Sequence, residues 1–147
     1  MRFDVWAPDA ANVEVEADAG RHAMSRSSLR RGWWTVEAQG EDYGFVVDGE
    51  GPFPDPRSPW QPDGVHGLSR VYDHDRFAWT DGGWRGRPLA GGILYELHTG
   101  TFTPQGTFDS AVERLDHLVD LGVNTVELMP VAAFPGRHGW GYDGVGL

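Results

Sequence analysis

The sequence predicts an antiparallel β-sandwich over residues 1–84, followed by a strand–helix–strand unit with parallel strands over residues 85–147. Three observations carry this prediction. In the first part apolar and polar residues alternate in short runs that are separated by turn residues. A proline-rich segment, 52–64, follows these runs and is too stiff to be a flexible linker. After residue 92 the pattern changes to an apolar run, a helical repeat and a second apolar run.

Short alternating segments build the predicted sandwich. Side chains on a strand point in turn to opposite faces, so alternation is typical of a strand that is buried on one face only. For the same reason only one of Trp33 and Trp34 can face outward, and the other belongs to the core. The segments are 2–7, 13–16, 32–37 and 43–47, with turn residues between them.

The proline-rich segment holds five prolines between Pro52 and Gly64, which excludes a continuous helix or a central strand. It also contains Phe53 and Trp60, whereas flexible linkers are rich in glycine and serine. We therefore expect an ordered loop that lies against a neighbouring surface.

The second part begins with the apolar run Ile93–Leu97, which is typical of a strand covered on both faces. A helix is expected next, beginning either at the N-cap Thr107 or at a capping box of Ser110 with Glu113. Gly122 suits its C-terminal end, and a second strand follows up to Pro130. The apolar residues at helical spacing are Phe108, Ala111, Val112, Leu115, Leu118 and Val119.

A parallel strand pair needs further strands and helices to cover its faces. A complete (β/α)8 barrel takes about 250 residues, whereas 57 residues run from Gly91 to Leu147. We therefore expect that the chain stops inside its second domain.

Composition narrows the class of ligand. A formal net charge of −10 argues against a nucleic-acid partner, because binding to phosphate backbones depends on basic residues. The chain has no cysteine, which excludes disulfides and thiolate metal sites. Its first residues do not resemble a secretory signal and no apolar stretch is long enough to cross a membrane, so a cytoplasmic location away from membranes is expected.

Two loops leave the carboxyl ends of the predicted strands, where functional residues of such units lie. The first begins at His98, which either bonds a substrate hydroxyl or holds the loop in place. The second contains Trp140, Tyr142 and Asp143 among several glycines, which allow tight turns that bring large side chains together. This second loop is the best candidate for a ligand-contacting surface.

Two other groups of residues are poor candidates. Glu96 and Glu127 near the strand ends suggest a glycosidase carboxylate pair, but side chains there often bond loop amides, so we expect no catalytic role. The triplet Asp73-His74-Asp75 suggests a metal site, but neighbouring side chains diverge on an extended chain. A solvated turn without metal is expected.

Several motifs resemble the α-amylase superfamily of glycoside hydrolases. Gly122–Pro130 resembles its second-strand motif, and Trp140–Asp143 resembles the segment that follows. The run Leu94–Thr103 is similar to the first barrel strand of its glycogen-branching and trehalohydrolase branch, and Phe3–Pro8 to the sandwich strand that opens such enzymes. Stretches that resemble the trehalohydrolase family in particular are 54–58 with 61–67, 106–109 and 130–136.

The resemblance implies an immunoglobulin-like early-set sandwich before a truncated (β/α)8 barrel. It implies hydrolysis of the α-1,4 bond next to the trehalose end of a maltooligosyltrehalose, by a retaining mechanism without a cofactor. The catalytic carboxylates are expected beyond Leu147, so this chain alone is predicted to be inactive. By motif position Tyr142 resembles the aromatic that stacks on the sugar beside the scissile bond, and Trp140 and Asp143 would shape that subsite.

Two alternatives stay open. The same architecture serves 1,4-α-glucan branching enzymes, which differ in what accepts the glycosyl intermediate. A β-sandwich alone could also act as a non-catalytic glucan-binding module. The sequence leaves the oligomeric state undetermined.

Overall fold

A computed structural model of the chain describes residues 1–18 and 20–144. They form two compact units, which are Met1–Asp73 with Ala132–Gly136 and His74–Val131 with Arg137–Asp143. The strands of the first unit are β1 (Arg2–Trp6), β2 (Val13–Ala17), β3 (Gly20–Ala23), β4 (Ser25–Arg26), β5 (Trp33–Glu37), β6 (Asp42–Val47), β7 (Glu50–Phe53) and β8 (Ser69–Arg70). The second unit has a 3-10 turn (His74–Arg76), β9 (Leu94–Leu97), α1 (Thr99–Phe102), α2 (Phe108–Val112), α3 (Leu115–Asp120) and β10 (Thr125–Leu128).

The first unit contains two antiparallel sheets. One has the strand order β1-β5-β4, and the other has the order β3-β2-β6-β7, with β8 also paired to β6. The central pairs are long and regular: β1 runs against β5 with Phe3 opposite Val36, and β2 runs against β6 with Val15 opposite Phe45. The predicted antiparallel β domain is confirmed.

Side chains from both sheets form one hydrophobic core. Every second residue of β2 is buried, as the alternation predicts. Trp34 is only 6% exposed and its indole N–H donates to the carbonyl oxygen of Ala7 at 2.9 Å, whereas Trp33 faces outward. Each fully buried large apolar side chain contributes roughly 1.5–3 kcal/mol. The cluster comprises Phe3, Val5, Ala10, Val13, Val15, Ala17, Met24, Trp34, Ala38, Tyr43 and Phe45.

Two edge strands were not evident in the sequence. Both β3 and β4 lie within or beside the polar run 21–31, which has almost no apolar alternation. They border opposite sheets, and exposed polar edge strands are common because charge there discourages pairing with other chains. Met24 joins them and is buried in the core.

The proline-rich segment is anchored by Asp55, which is buried. Its carboxylate accepts hydrogen bonds from the Tyr43 hydroxyl at 2.9 Å and the Arg57 amide at 2.8 Å. The amide of Asp55 in turn donates to the Ser69 hydroxyl at 2.8 Å. Burial, together with the negative charge of Asp55, raises the pKa of Tyr43. Pro52 and Phe53 form the end of β7, and polar contacts hold the rest of the segment, which has no helix or strand.

In the second unit β9 and β10 form a parallel pair, with Leu94 opposite Thr125 and Leu97 opposite Leu128. The side-chain oxygen of Asn124 accepts hydrogen bonds from the Ile93 amide at 3.0 Å and from the Thr125 hydroxyl at 3.1 Å. Asn124 therefore fixes the strand register at its starting end. The strand–helix–strand order is the one that the sequence predicts.

The helical part differs from the prediction. The single helix expected from Phe108 to Val119 is wrong, because the chain forms α2 and α3 with a turn at residues 113 and 114. Ala111 of α2 and Leu118 of α3 are buried, whereas Val112, Leu115 and Val119 are exposed. Thr107 is the N-cap, in a capping box with Ser110, and Gly122 follows α3 with a φ of 83°. None of the helices within residues 1–18 and 20–144 is long and apolar enough to span a membrane.

Candidate functional site

The candidate site lies where β9 and β10 end. Because the two strands are parallel and in register, the loops that follow Leu97 and Leu128 leave the same edge of the pair. The amide of Met129 donates to the carbonyl oxygen of Leu97 at 2.9 Å, which extends the pairing by one step. The pair therefore brings the loop that starts at His98 beside the loop that starts at Pro130.

The His98 side chain links these two loops. Its Nε2 lies 2.8 Å from the carbonyl oxygen of Gly139, and its Nδ1 lies 3.3 Å from the hydroxyl of Thr101. A carbonyl oxygen can only accept, so Nε2 must carry the hydrogen and the neutral ring can accept from Thr101 at Nδ1. Both ring nitrogens are thus occupied by protein groups, which favours the loop-holding interpretation of His98.

A second contact closes the loop that follows β10. Gly141 has a φ of 88°, in the region that glycine adopts more readily than other residues. A Cβ atom at Gly141 would overlap the backbone carbonyl of Pro130. The two ends of the loop therefore touch, and only a residue without a side chain permits this approach.

The side chains on either side of Gly141 face solvent. Trp140 is 73% exposed, Tyr142 is 67% exposed, and Asp143 is exposed as well. The structure thus presents all three predicted ligand-contacting residues together, next to the loop contact that His98 makes.

The loop after β9 is held internally by hydroxyl groups. Thr103 and Ser110 are buried, and their side-chain oxygens are 2.6 Å apart. The Ser110 hydroxyl also accepts from the Thr107 amide at 3.2 Å, and the Gly106 amide donates to the Thr103 hydroxyl at 3.1 Å. These bonds satisfy backbone groups at the start of α2 and fix the loop that carries His98.

An open concavity of about 530 Å³ borders this loop. Besides His98 it is lined by Glu96, and by Arg114 and His117 from the start of α3. Neither Arg114 nor His117 was predicted as a site residue, although their spacing of three residues within a helical repeat indicates that they share one face.

Glu96 and Glu127 are opposite each other in the parallel register, so their side chains share one face of the strand pair. Both are exposed and neither makes an ion pair within residues 1–18 and 20–144. The expectation that they are not the catalytic pair stays a prediction. The triplet 73–75 runs into the 3-10 turn His74–Arg76. Among the described residues, no group of three His, Asp or Glu residues could hold a metal ion.

The outward Trp33 is not a free platform for a sugar. The guanidinium carbon of Arg30 lies 4.4 Å from the centre of its ring, and that of Arg57 lies 4.6 Å away. Cation–π stacking occupies the aromatic surface that a sugar would need. On the same sheet Trp6 is 61% exposed.

The chain is similar to known carbohydrate-active enzymes over almost its whole length. It is 57% identical over 150 residues to a malto-oligosyltrehalose trehalohydrolase of Arthrobacter ramosus, and 50% identical over 153 residues to that of a Rhizobium species. Each alignment covers 98% of this chain and 26% of the relative, so the chain spans about a quarter of the length of these relatives. No family model matches the chain.

Solved structures agree with this similarity. A protein from Salmonella typhimurium described as an alpha amylase is 40% identical, with a TM-score of 0.90, and the match covers 98% of this chain and 25% of that one. A type I pullulanase from Bacillus subtilis, solved with maltose, has a TM-score of 0.70 at 22% identity over 96% of this chain and 25% of its own. The pullulanase therefore supports the fold alone.

These comparisons identify the class first: the relatives are glycoside hydrolases of the α-amylase superfamily, and the chain shares their fold. Within that class, its sequence corresponds to part of a malto-oligosyltrehalose trehalohydrolase. The resemblance predicted from the motifs of the sequence is confirmed.

Proposed function

We propose that the chain forms the N-terminal part of an α-glucan hydrolase that cleaves the α-1,4 bond next to the trehalose end of a maltooligosyltrehalose and releases trehalose. The observation that carries the proposal is the exposed aromatic loop at the ends of the parallel strands, fixed by His98 and closed at Gly141. Sequence identity to trehalohydrolases over nearly the whole chain supports this choice of reaction.

The architecture that we propose places an immunoglobulin-like early-set sandwich before a (β/α)8 barrel, with β9 and β10 as the first two barrel strands. The exposed apolar residues of the second unit support it. Leu94, Val126 and Leu128 on the strands are exposed, as are Val112 and Val119 on the helices. Further strands and helices of a barrel would bury these side chains.

In this proposal the loop forms one side of a sugar subsite. The Tyr142 ring offers an apolar face with a polar edge, which suits the C–H face of a glucose ring. Trp140 and Asp143 border the same position, one supplying apolar surface and the other hydrogen-bond acceptors. The retaining mechanism needs a nucleophile and a general acid whose carboxyl groups are about 5–5.5 Å apart. We assign both to later barrel strands, and the reaction needs no metal or other cofactor from this chain.

The test is trehalose release by the full-length protein that carries this chain. Purified protein should liberate trehalose from maltooligosyltrehalose, measured by chromatography of the products. Replacing Tyr142 by alanine should lower kcat/KM by at least about tenfold, whereas phenylalanine should retain most activity because the ring remains. Products without free trehalose would contradict the proposal.

A second candidate function is glucan branching. One relative, the 1,4-alpha-glucan branching enzyme GlgB of Vibrio parahaemolyticus, is 34% identical over 176 residues, covering all of this chain and 22% of the enzyme. A branching transferase would change the iodine absorbance of amylose without releasing trehalose. The higher identity to trehalohydrolases favours hydrolysis.

We propose further that the 147-residue chain has no hydrolase activity by itself, and that it works in the cytoplasm as part of the longer enzyme. Turnover of maltooligosyltrehalose by the isolated chain would contradict this. The remaining alternative is a non-catalytic glucan-binding module. It requires saturable binding of a glucan at the first unit, which a titration of the chain with maltotriose tests.

A further inference from the structure

Three arginines converge on one aspartate on the outer face of the β1-β5-β4 sheet. The Nε of Arg2 lies 3.1 Å from one carboxylate oxygen of Asp4, and Nη2 of Arg30 lies 2.7 Å from the other. Arg57 donates from Nη2 to the backbone carbonyl of Asp4 at 2.8 Å. Arg30 and Arg57 also stack on the ring of Trp33.

The charge of this cluster is not balanced. One carboxylate faces three guanidinium groups, although the chain as a whole has 22 acidic and only 12 basic residues. Glu37 is the cross-strand neighbour of Arg2, but it forms no ion pair in the described part of the chain. Like charges held close together are unfavourable unless an anion compensates them. A concentration of positive charge in so acidic a protein therefore indicates an anionic ligand.

Several donors of the cluster remain free. Arg2 uses Nε for Asp4 and for the Thr35 hydroxyl, while its two terminal nitrogens have no partner among the described residues. Nη2 of Arg30 is buried and forms no hydrogen bond among the described residues despite its 2.7 Å ion pair with Asp4, and Nε and Nη1 have no hydrogen-bond partner there either. The side chains of Arg2 and Arg30 are 55% and 38% exposed, so a ligand can reach them from solvent.

These free groups line a concavity of about 370 Å³ between Arg2 and Arg30, whose other walls are Asp4, Ser27 and Leu29. The Ser27 hydroxyl accepts hydrogen bonds from the amides of Leu29 and Arg30, and its own hydrogen is available to a ligand. Guanidinium groups match the planar edge of phosphate oxygens with two parallel hydrogen bonds.

We propose that Arg2, Arg30 and Ser27, with Arg57 adding positive charge, form a binding site for the phosphate group of a phosphate monoester. Three guanidinium groups and one carboxylate leave a net charge of +2, and a phosphate monoester carries about −1.5 to −2 at neutral pH. A ligand with a single carboxylate would leave the cluster with a net positive charge. A neutral glucan would not compensate any of that charge. The site uses none of the residues of the aromatic loop, and the proposal does not depend on the proposed hydrolase activity.

The experiment is equilibrium dialysis of the full chain against glucose 6-phosphate, inorganic phosphate and glucose, at an ionic strength of about 0.15 M that screens diffuse attraction. We expect saturable binding of glucose 6-phosphate and none of glucose. Comparable binding of inorganic phosphate would show that the phosphate group alone is recognised, and weaker binding would show that the sugar contributes.

Arg2→Gln should weaken binding by at least about tenfold, and Arg2→Lys should weaken it less because the charge is kept without the paired donors. The matched control is Arg21→Gln, since Arg21 is also exposed and ion-paired with a glutamate, on the other sheet. Thermal melting followed by circular dichroism checks that each variant folds. If Arg2→Gln does not fold, Arg30→Gln provides a second test. Equal losses for Arg2→Gln and Arg21→Gln, or no saturable binding, would overturn the proposal.

Discussion

The imidazole of His98 donates from Nε2 to the carbonyl oxygen of Gly139, 2.8 Å away, and so connects the end of one parallel strand to the loop of the next. The bonded carbonyl belongs to the residue that directly precedes Trp140. Any rotation of this peptide group therefore moves the exposed indole, and His98 controls the loop without pointing a free nitrogen at a ligand.

We predict that His98→Ala lowers kcat/KM for trehalose release by roughly ten- to a hundredfold, since small misplacements of positioning groups have effects of this size. His98→Gln should restore part of the loss, because its amide N–H₂ can donate to the Gly139 carbonyl. If His98 were a general acid or base, glutamine would not restore activity. The pH–rate profile of the variants would then lose its dependence on the ionisation of His98. Steady-state kinetics of the full-length enzyme at several pH values distinguishes the two roles.

Gly141→Ala should destabilise the loop more than the same change at another glycine of the second loop. Gly136 is the matched control, because its φ of 92° is similar and nothing lies within 4 Å of its Cβ position. Left-handed backbone costs alanine roughly 1–2 kcal/mol at either site, and at Gly141 the overlap with Pro130 adds to this cost. Thermal unfolding and limited proteolysis of both variants provide the comparison, and equal effects would contradict the closure of the loop at Pro130.

Tyr43→Phe should destabilise the first unit by about 1–3 kcal/mol, because it removes the hydroxyl that donates to the buried Asp55 carboxylate. The ring would remain in contact with Phe3 and Phe45, so packing is preserved. Urea unfolding followed by circular dichroism measures the difference. The control is Tyr142→Phe, at a tyrosine that is 67% exposed, where a change below about 0.5 kcal/mol is expected.

Asp4 should make stability depend on pH in the acid range. Burial alone would raise the pKa of Asp4, but the neighbouring Thr35 hydroxyl and the guanidinium groups of Arg30 and Arg2 outweigh it and hold the pKa below its ordinary value. A carboxylate whose pKa is lower in the folded state adds stability above the unfolded pKa of about 3.9, and this contribution disappears as the pH falls through the folded pKa.

Asp4→Asn should therefore flatten the decline in melting temperature below about pH 4. Asp9→Asn is the control, because Asp9 is exposed and has no arginine partner among the described residues. An unchanged acid decline in Asp4→Asn would contradict the prediction.

Strong local patterns in the sequence predicted most of the fold. The alternation in β2 and β5 determines which side chains are buried, and the identity of Trp34 as the core tryptophan became clear only when the pairing of β5 with β1 was known. The edge strands β3 and β4 escaped prediction because they are short and polar and show no apolar alternation, although each pairs with a strand nearby in the sequence.

The residues of the candidate site remain a prediction from the sequence, and the contacts that hold their loops could not be predicted from it. The glycines around Trp140 and Tyr142 indicated a tight loop, and the position of His98 after a strand indicated a functional end. Neither observation could pair His98 with Gly139, since 41 residues separate them and the pairing requires the parallel register. The division of the helix at residue 113 was also unpredictable, because neither Glu113 nor Arg114 is a helix-breaking residue.

The position of Met24 determines where the first unit can accept insertions or deletions of residues. The chain leaves one sheet at Ala23 and enters the other at Ser25, and the residue between them is buried in the core that both sheets share. Adding or deleting a single residue here would shift one strand against its partner and exchange its inner and outer side chains. The length of the connection at Met24 therefore cannot vary without disrupting the domain. Natural variation in loop length is expected at the other turns.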